Sequence, residues 1–341
     1  MNGSMAAESE QRLTALPTLL LSRSDIAAVL DADSCIAAVE EAFRAHAEGR
    51  ARGPASLGVT AEDGSFHVKA AGMRGGCFAA KTNANFPANP ARHGLPTIQG
   101  VVVLCDDPTG RLLALMDSME ITVLRTAAAS AVAAKYLARP ESRVAALAGC
   151  GAQAAAQIRA LRRVLPLRRI LAFDLDPARI TALAETLRGE TGLTVEPVRE
   201  LATALRVSDV VVTCTPSRIP FLKRDDIRAG TFVAAVGADS PSKSEIEPPL
   251  MAAATVVVDI LDQCAQSGDL HHAIEACVMT TADVHAELAD LVVGRKPGRR
   301  SVDEITLFDS CGTALQDVAA ATLAYERARA AGRGQPLDFA N

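Results

Sequence analysis

The rhythm of apolar and polar positions changes near residue 140. Ahead of it, "SDIAAVL" and "DSCIAAVEEAFRAHAEG" read as two short helices. In the second, Ile36, Val39 and Phe43 share one face, Asp33 or Ser34 serves as cap, and Gly49 as stop. "LGVTAEDGSFHVKAAG" alternates on both sides of Asp63-Gly64, a hairpin pattern. "CFAAKTNANF" continues as a strand, and "TIQGVVVLCDDPTGRLLALMD" is a second hairpin turning at "DPTG". The Ala-rich "SMEITVLRTAAASAVAAKYLAR" is a long helix that Pro140 closes. The front part is therefore α+β with mostly antiparallel strands.

Beyond residue 140, short apolar runs alternate with amphipathic ones. "RVAALAG", "RRILAFD", "LTVEPV", "DVVVTCT", "TFVAAVG" and "ATVVVDI" read as buried strands, with "AQAAAQIRALRRVL" and "PARITALAETLRG" as helices between the first of them. Strands alternating with helices imply a parallel sheet with right-handed crossovers. The predicted fold class is α/β: a Rossmann-type doubly wound parallel sheet over 139–311, plus an α+β domain over 14–138. "SVDEITLFDSCGTALQDVAAATLAYERARAAG" is a strand or turn and then a helix, spanning 312–332, expected to pack back on the front domain.

"LAGCGAQAAAQIRAL" stands between the first strand and helix of this series. Gly149, Gly151 and Ala154 fit G-x-G-x-x-A, in the context such a dinucleotide turn requires. Gly149 suits a tight turn, and Gly151 lets the backbone approach a pyrophosphate at a helix start expected near Ala152. Asp174, 25 positions after Gly149, ends the next strand, where a carboxylate accepts ribose hydroxyls and favours NAD. NADP is the alternative, because Arg179 is near. Later strand ends place Thr213 and Thr215, then Gly237 and Asp239, at the same crevice.

Composition narrows the partners. Net charge is −5 and aromatics are 3% with no Trp, which argues against nucleic acid as the main partner, since that needs a basic face or base-stacking aromatics. Eight scattered cysteines, with no C-x-x-C pair, fit a reduced, cytoplasmic protein without a zinc or redox motif. No secretory segment or membrane span is visible in the sequence. His93 reads as structural; His271 and His272 share a helix with no third ligand expected nearby, so no metal is expected.

In order along nearly the whole chain stand "AAKTNANFPANPARHGLPTIQG", "LLALMDSMEITVLRTAAASAVAAKYLA", "GCGAQA", "VGADSPSK" and "FDSCGTALQDVAAA". This series resembles the ornithine cyclodeaminase/mu-crystallin family. The resemblance implies an NAD(P)-dependent enzyme whose front domain binds an amino or imino acid and forms a homodimer. It implies that Lys81 is the active-site lysine, that Arg125 bridges carboxylate and cofactor, and that Asp239 is the catalytic aspartate. Arg52, with Arg50 as rival, would be a second carboxylate ligand, and Cys311 would lie beside the substrate. Thr97, Lys243 and Ser310 would contact the cofactor, with Ala152, Gln153, Thr215 and Gly237.

The chain departs from the cyclodeaminases at "FHVKAAG", where His67, Val68 and Lys69 replace a segment led by a glutamate. His67 and Lys69 share one strand face. If that face lines the site, Lys69, Lys81 and Arg125 make it cationic, disfavouring the second ammonium of ornithine. The expected activity is NAD(P)H-dependent reduction of a cyclic ketimine such as Δ1-pyrroline-2-carboxylate to L-proline. Ornithine cyclodeaminase, alanine dehydrogenase and a non-catalytic, mu-crystallin-like binding protein are the alternatives.

Overall fold

A computed structural model describes residues 17–190 and 192–338; the expected domain start at residue 14 lies outside the described residues. Two sheets organise the chain. The first contains β1 (Thr18–Leu21), β2 (Ala51–Ala61), β3 (Gly64–Met73), β4 (Cys77–Asn85), β5 (Ile98–Asp106) and β6 (Leu112–Asp117), with a last strand, Gln335–Leu337, beside β1. Strands β2 to β6 form an antiparallel meander, as the two hairpin patterns require. β1, which the sequence pattern did not show, joins β6 in parallel.

The second sheet contains β7 (Val144–Ala148), β8 (Arg169–Phe173), β9 (Thr194–Pro197), β10 (Val210–Thr213), β11 (Phe232–Ala235), β12 (Thr255–Val258), β13 (Ala286–Glu287) and β14 (Thr306–Asp309). Every pair in it is parallel, in the order β13-β12-β14-β11-β10-β7-β8-β9. From β9 to β14 this is the doubly wound order of dinucleotide-binding sheets. The order reverses at β7 and β10, so a crevice opens at their carboxyl ends, where "GCG" follows β7.

Helices α1 (Arg23–Val29), α2 (Ala32–Ala47) and α3 (Ser118–Leu137) belong to the front part. Asp31, rather than Asp33 or Ser34, caps α2: its carboxylate accepts the Ser34 N–H at 2.9 Å. α3 is buried nearly all round. Its alanines let it lie close to α2 on one side and to α4 (Ala154–Val164), the helix after the glycine turn, on another. Between the turn and α4 the chain makes three turn residues, so the helix starts two positions later than expected. α5 (Pro177–Thr186), α6 (Asp269–Glu275) and α7 (Ala314–Ala330) follow. α7 packs on β3, β4, α2 and α3, crossing from the second sheet back to the first.

Cross-strand register fixes which side chains of the first sheet face these helices. Leu21, Met116, Val102, Lys81 and Lys69 lie opposite one another from β1 to β3, and Ser56 of β2 extends the row. A neighbouring row, Ala114, Leu104, Ala79 and Ala71, is buried. Two cations thus sit on a face that is otherwise a packed apolar core.

Candidate active site

Lys81 is only 3% exposed. Its Nζ donates to Asp317 Oδ1 of α7 at 2.8 Å and to Thr122 Oγ1 of α3 at 3.4 Å. Arg125, one helical turn further along α3, places Nε 2.9 Å from the same Asp317 oxygen, and its Nη1 donates to Gln316 Oε1 at 2.5 Å. Burial, and then the Arg125 charge, push the Lys81 ammonium down to about 7 against the pull of Asp317. Asp317 is held below the usual carboxylate range: burial works upward, but Arg125 and Lys81 outweigh it. Asp317 Oδ2 and Gln316 Nε2 are buried without a partner among the described residues.

Lys69 lies directly across from Lys81. Its ammonium donates to the carbonyl oxygens of Cys311, at 2.9 Å, and Gly312, at 2.6 Å, tying the first sheet to the loop after β14. That loop is shaped by Gly312, whose φ of +75° suits glycine and where a Cβ would stand 2.6 Å from Arg125 Nη1. His67, two residues before Lys69 and half-buried, donates or accepts with Ser65 Oγ at 2.8 Å. Burial lowers its pKa, while Asp239 works upward and Lys69, Lys243 and Lys81 reinforce the fall. His67 and Lys69 therefore face the cleft.

Asp239 follows β11 on the opposite wall. Its carboxylate accepts from Lys243 Nζ at 2.5 Å, and its side chain keeps 47% exposure. Water lost in the cleft pushes its pKa up, but Lys243, Lys69 and His67 bring it below the usual range. The cleft thus brings together His67, Lys69, Lys81, Arg125, Asp239, Lys243 and Asp317.

The glycine turn fits a dinucleotide. Gly149 has φ +94°, and a Cβ there would meet Cys214 O and Thr215 Cγ2 at 2.9 Å. Gly151 is different: a Cβ would meet nothing within 4 Å, so packing does not demand glycine, and its absence of side chain opens the backbone to close approach. No side chain caps α4, and Gln153 Oε1 is buried without a partner among the described residues. Asp174 accepts the N–H of Cys150 at 2.8 Å and of Asp176 at 2.9 Å, one bond per oxygen, so acceptor capacity remains. Leu175 beside it is 93% exposed. Arg179 lies 3.7 Å from Asp176. Thr97 precedes β5, its carbonyl accepting from Phe86 N–H past the Asn85 end of β4.

Five of the expected site residues make contacts that the sequence did not show. Arg52 does not join Lys69 and Lys81. An irregularity in β2 between Arg52 and Ala55 puts Arg52 opposite Gly72, on the outer sheet face, where it is 3.4 Å from Asp107. Cys311 turns its thiol away from the cleft, to Cys264 Sγ at 3.3 Å; its carbonyl is what meets Lys69. The Ser310 hydroxyl is buried and donates to Asp259 at 3.0 Å. Thr215 and Gly237 spend their N–H groups on Glu245, at 2.7 and 2.9 Å.

Glu245 was not legible in the sequence. It is fully buried and also accepts the hydroxyls of Thr213 and Thr215, both at 2.7 Å, so one carboxylate joins the ends of β10 and β11. A Cβ on Gly237 would stand 2.5 Å from it. Burial and Asp269 push Glu245 up to about 7, against the threonine hydroxyls. Asp317 was also missed; its only sequence cue is one acid in an otherwise apolar helix face.

A family model for the ornithine cyclodeaminase/mu-crystallin family matches residues 17–332. The chain belongs to this family. Within the ornithine cyclodeaminase/mu-crystallin family, alanine dehydrogenase of Archaeoglobus fulgidus is 37% identical over 325 residues, 95% of this chain and 99% of that protein. An archaeal alanine dehydrogenase dimer with bound NAD has a TM-score of 0.91 at 37% identity, covering 95% of this chain and 100% of that one. The Δ1-pyrroline-2-carboxylate reductase of Thermococcus litoralis, in complex with NADH and L-proline, gives 0.91 at 33% identity, covering 94% and 100%. No helix among the described residues is long and apolar enough to cross a membrane.

Proposed function

We propose that this chain is an NAD-dependent reductase of a small 2-imino acid, a cyclic ketimine such as Δ1-pyrroline-2-carboxylate being reduced to L-proline. The charge of the cleft carries the reading. Its two carboxylates are already engaged, Asp239 by Lys243 and Asp317 by Lys81 and Arg125, while Lys69 adds a third cation on the strand face. A second substrate ammonium, as in ornithine, would find no free anion. A ring imine has none, and its carboxylate is attracted. The Thermococcus litoralis reductase holding NADH and L-proline supports this choice.

NADH, when bound, supplies the hydride to C2. Lys81 and Arg125 receive the substrate carboxylate, taking up a second anion beside Asp317. Asp239 accepts the ring N–H and so favours the protonated imine, the form more open to hydride. Lys69 holds the Cys311–Gly312 loop against Arg125. On the cofactor side, Gly149, Gly151, Ala152 and Gln153 would hold the pyrophosphate, Asp174 the ribose and exposed Leu175 the adenine. Glu245 fixes Thr215 and Gly237 at the ends of β10 and β11, where they would help hold the nicotinamide half of the cofactor, with Thr97 contributing from the first sheet. Arg179 is drawn toward Asp176, which supports NAD over NADP.

We assign substrate binding to residues 14–138 with the 312–332 helix, and dinucleotide binding to 139–311. Leu20, Leu57, Val59, Phe66, Phe78 and Val101 are 37–61% exposed on the outer face of the first sheet. Such a face is costly in water. It fits the homodimer interface, supported by the dimeric archaeal neighbour.

A second reading, oxidation of a primary amino acid such as alanine, is favoured by the 37% identity to alanine dehydrogenase. Substrate tests separate the readings. The account expects no ammonia from ornithine without added cofactor, and faster NADH oxidation with the cyclic ketimine than NAD reduction with alanine. Ammonia and proline from ornithine alone would establish the cyclodeaminase instead.

A further inference from the structure

α6 carries His271, His272 and Glu275 at one face of the molecule, behind the segment that bears Asp239. His271 Nε2 lies 3.4 Å from Glu275 Oε1, and His272 Nδ1 lies 3.7 Å from Glu275 Oε2. The donor atoms of all three lie within 4.8 Å of one another. Glu275 is thus the third group that the sequence pattern of two adjacent histidines did not reveal.

The other nitrogen of each ring is committed. His271 Nδ1 bonds the Ala265 carbonyl at 3.2 Å, and His272 Nε2 bonds the Lys243 carbonyl at 2.8 Å. A carbonyl oxygen only accepts, so those nitrogens carry the hydrogen. In the neutral rings, His271 Nε2 and His272 Nδ1 then present lone pairs toward Glu275. Metal-binding histidines are oriented in this way, the remote N–H donating to a carbonyl. The histidine side chains are 22% and 24% exposed and that of Glu275 63%, which gives an ion a route in and leaves positions for water.

The geometry points to a site for a divalent first-row transition ion of the zinc class, held by His271 Nε2, His272 Nδ1 and a Glu275 oxygen. Two imidazoles and one carboxylate suit zinc, with water completing the shell. The buried Asp259, Cys264 and Cys311 group is a poorer candidate. Asp259 already accepts from Ser310, Gly312 and Ile260, and all three residues are buried.

The site is connected to the catalytic wall. His272 holds the Lys243 carbonyl, Lys243 holds Asp239, and Asp269 at the start of α6 accepts the N–H groups of Glu245 and Ile246 at 2.8 and 3.0 Å. An ion on α6 therefore clamps the helix onto the 239–246 segment.

The test uses the tag-free, metal-stripped full chain. Titration with Zn2+ followed by calorimetry should show one ion per chain and a raised melting temperature, and Co2+ should give a ligand-field spectrum. Glu275→Gln and His271→Gln should each weaken binding at least about tenfold, with unchanged melting temperatures in chelator, while Cys277→Ser should bind as the unaltered chain does. No bound zinc, equal binding in the Glu275 and His271 variants, or loss of binding only in the Cys277 variant would overturn the assignment.

Discussion

Lys81 of the first sheet and Asp317 of the last helix form a buried ion pair at 2.8 Å. The two residues are 236 positions apart, yet the pair is the centre of the cleft, because Arg125 shares the same carboxylate oxygen. Asp317 offsets two buried cations that would otherwise repel each other, and it leaves one oxygen unused. The substrate carboxylate is expected to enter as the second anion.

Asp317→Asn leaves Lys81 and Arg125 facing each other without compensation. Removing one partner of a buried pair costs about 3–5 kcal/mol. Denaturant unfolding should show a loss of that size, together with weaker binding of L-proline if the two cations separate. An unchanged unfolding midpoint would contradict the pairing.

Lys81 also sets a pH limb. Its ammonium, at about 7, is needed to hold the carboxylate. kcat/KM for imine reduction should be level below about 7 and fall tenfold per pH unit above it. Lys81→Arg keeps the charge and should remove that fall, at lower kcat. A profile level to pH 9 in the unaltered chain would exclude this role for Lys81.

Asp239→Asn should lower kcat by about 10²–10⁴, the usual contribution of a positioned acid or base, with cofactor affinity retained by equilibrium titration. A non-catalytic binding protein would show no such separation, since it would have no turnover to lose.

Glu245 supplies a stability prediction. Its folded pKa, about 7, lies above its unfolded value, so the folded state holds the extra proton. The resulting stability is full below about pH 4.5 and is lost as pH rises through about 7. The melting temperature of the unaltered chain minus that of Glu245→Gln should therefore decline by a few degrees from pH 5 to pH 8. A difference that grows over this range would reverse the sign and refute the assignment.

The two glycines of the turn should separate. Gly149→Ala forces a side chain into positive φ and against backbone at 2.9 Å, so it should lower the melting temperature. Gly151→Ala meets no protein atom within 4 Å and should leave stability alone while weakening NADH binding. Equal effects on both properties would argue against a cofactor at Gly151.

Much of this was readable from the chain. Period-two alternation around Asp63-Gly64 gave the hairpin, and the alternation of apolar strands with amphipathic helices gave the parallel sheet, since both are local patterns. β1, with four apolar or threonine residues and no flanking turn, had no such pattern. The role expected of Arg52 came from the family resemblance, and one irregularity in β2, which a sequence does not record, turns its side chain to the other face. Asp317 and Glu245 were missed for a common reason. Each acts on residues brought together only by how helices and loops pack, and an isolated acid looks the same in sequence whether it meets solvent or buried partners. Glu275 is different: it stands at i+4 from His271 and i+3 from His272 on one helix, a local spacing that the reading of the two histidines passed over.

The most direct measurement is NADH oxidation by the purified chain with Δ1-pyrroline-2-carboxylate, with the product identified. The account predicts stoichiometric NADH consumption and L-proline. No NADH consumption with this or any other cyclic ketimine would contradict it.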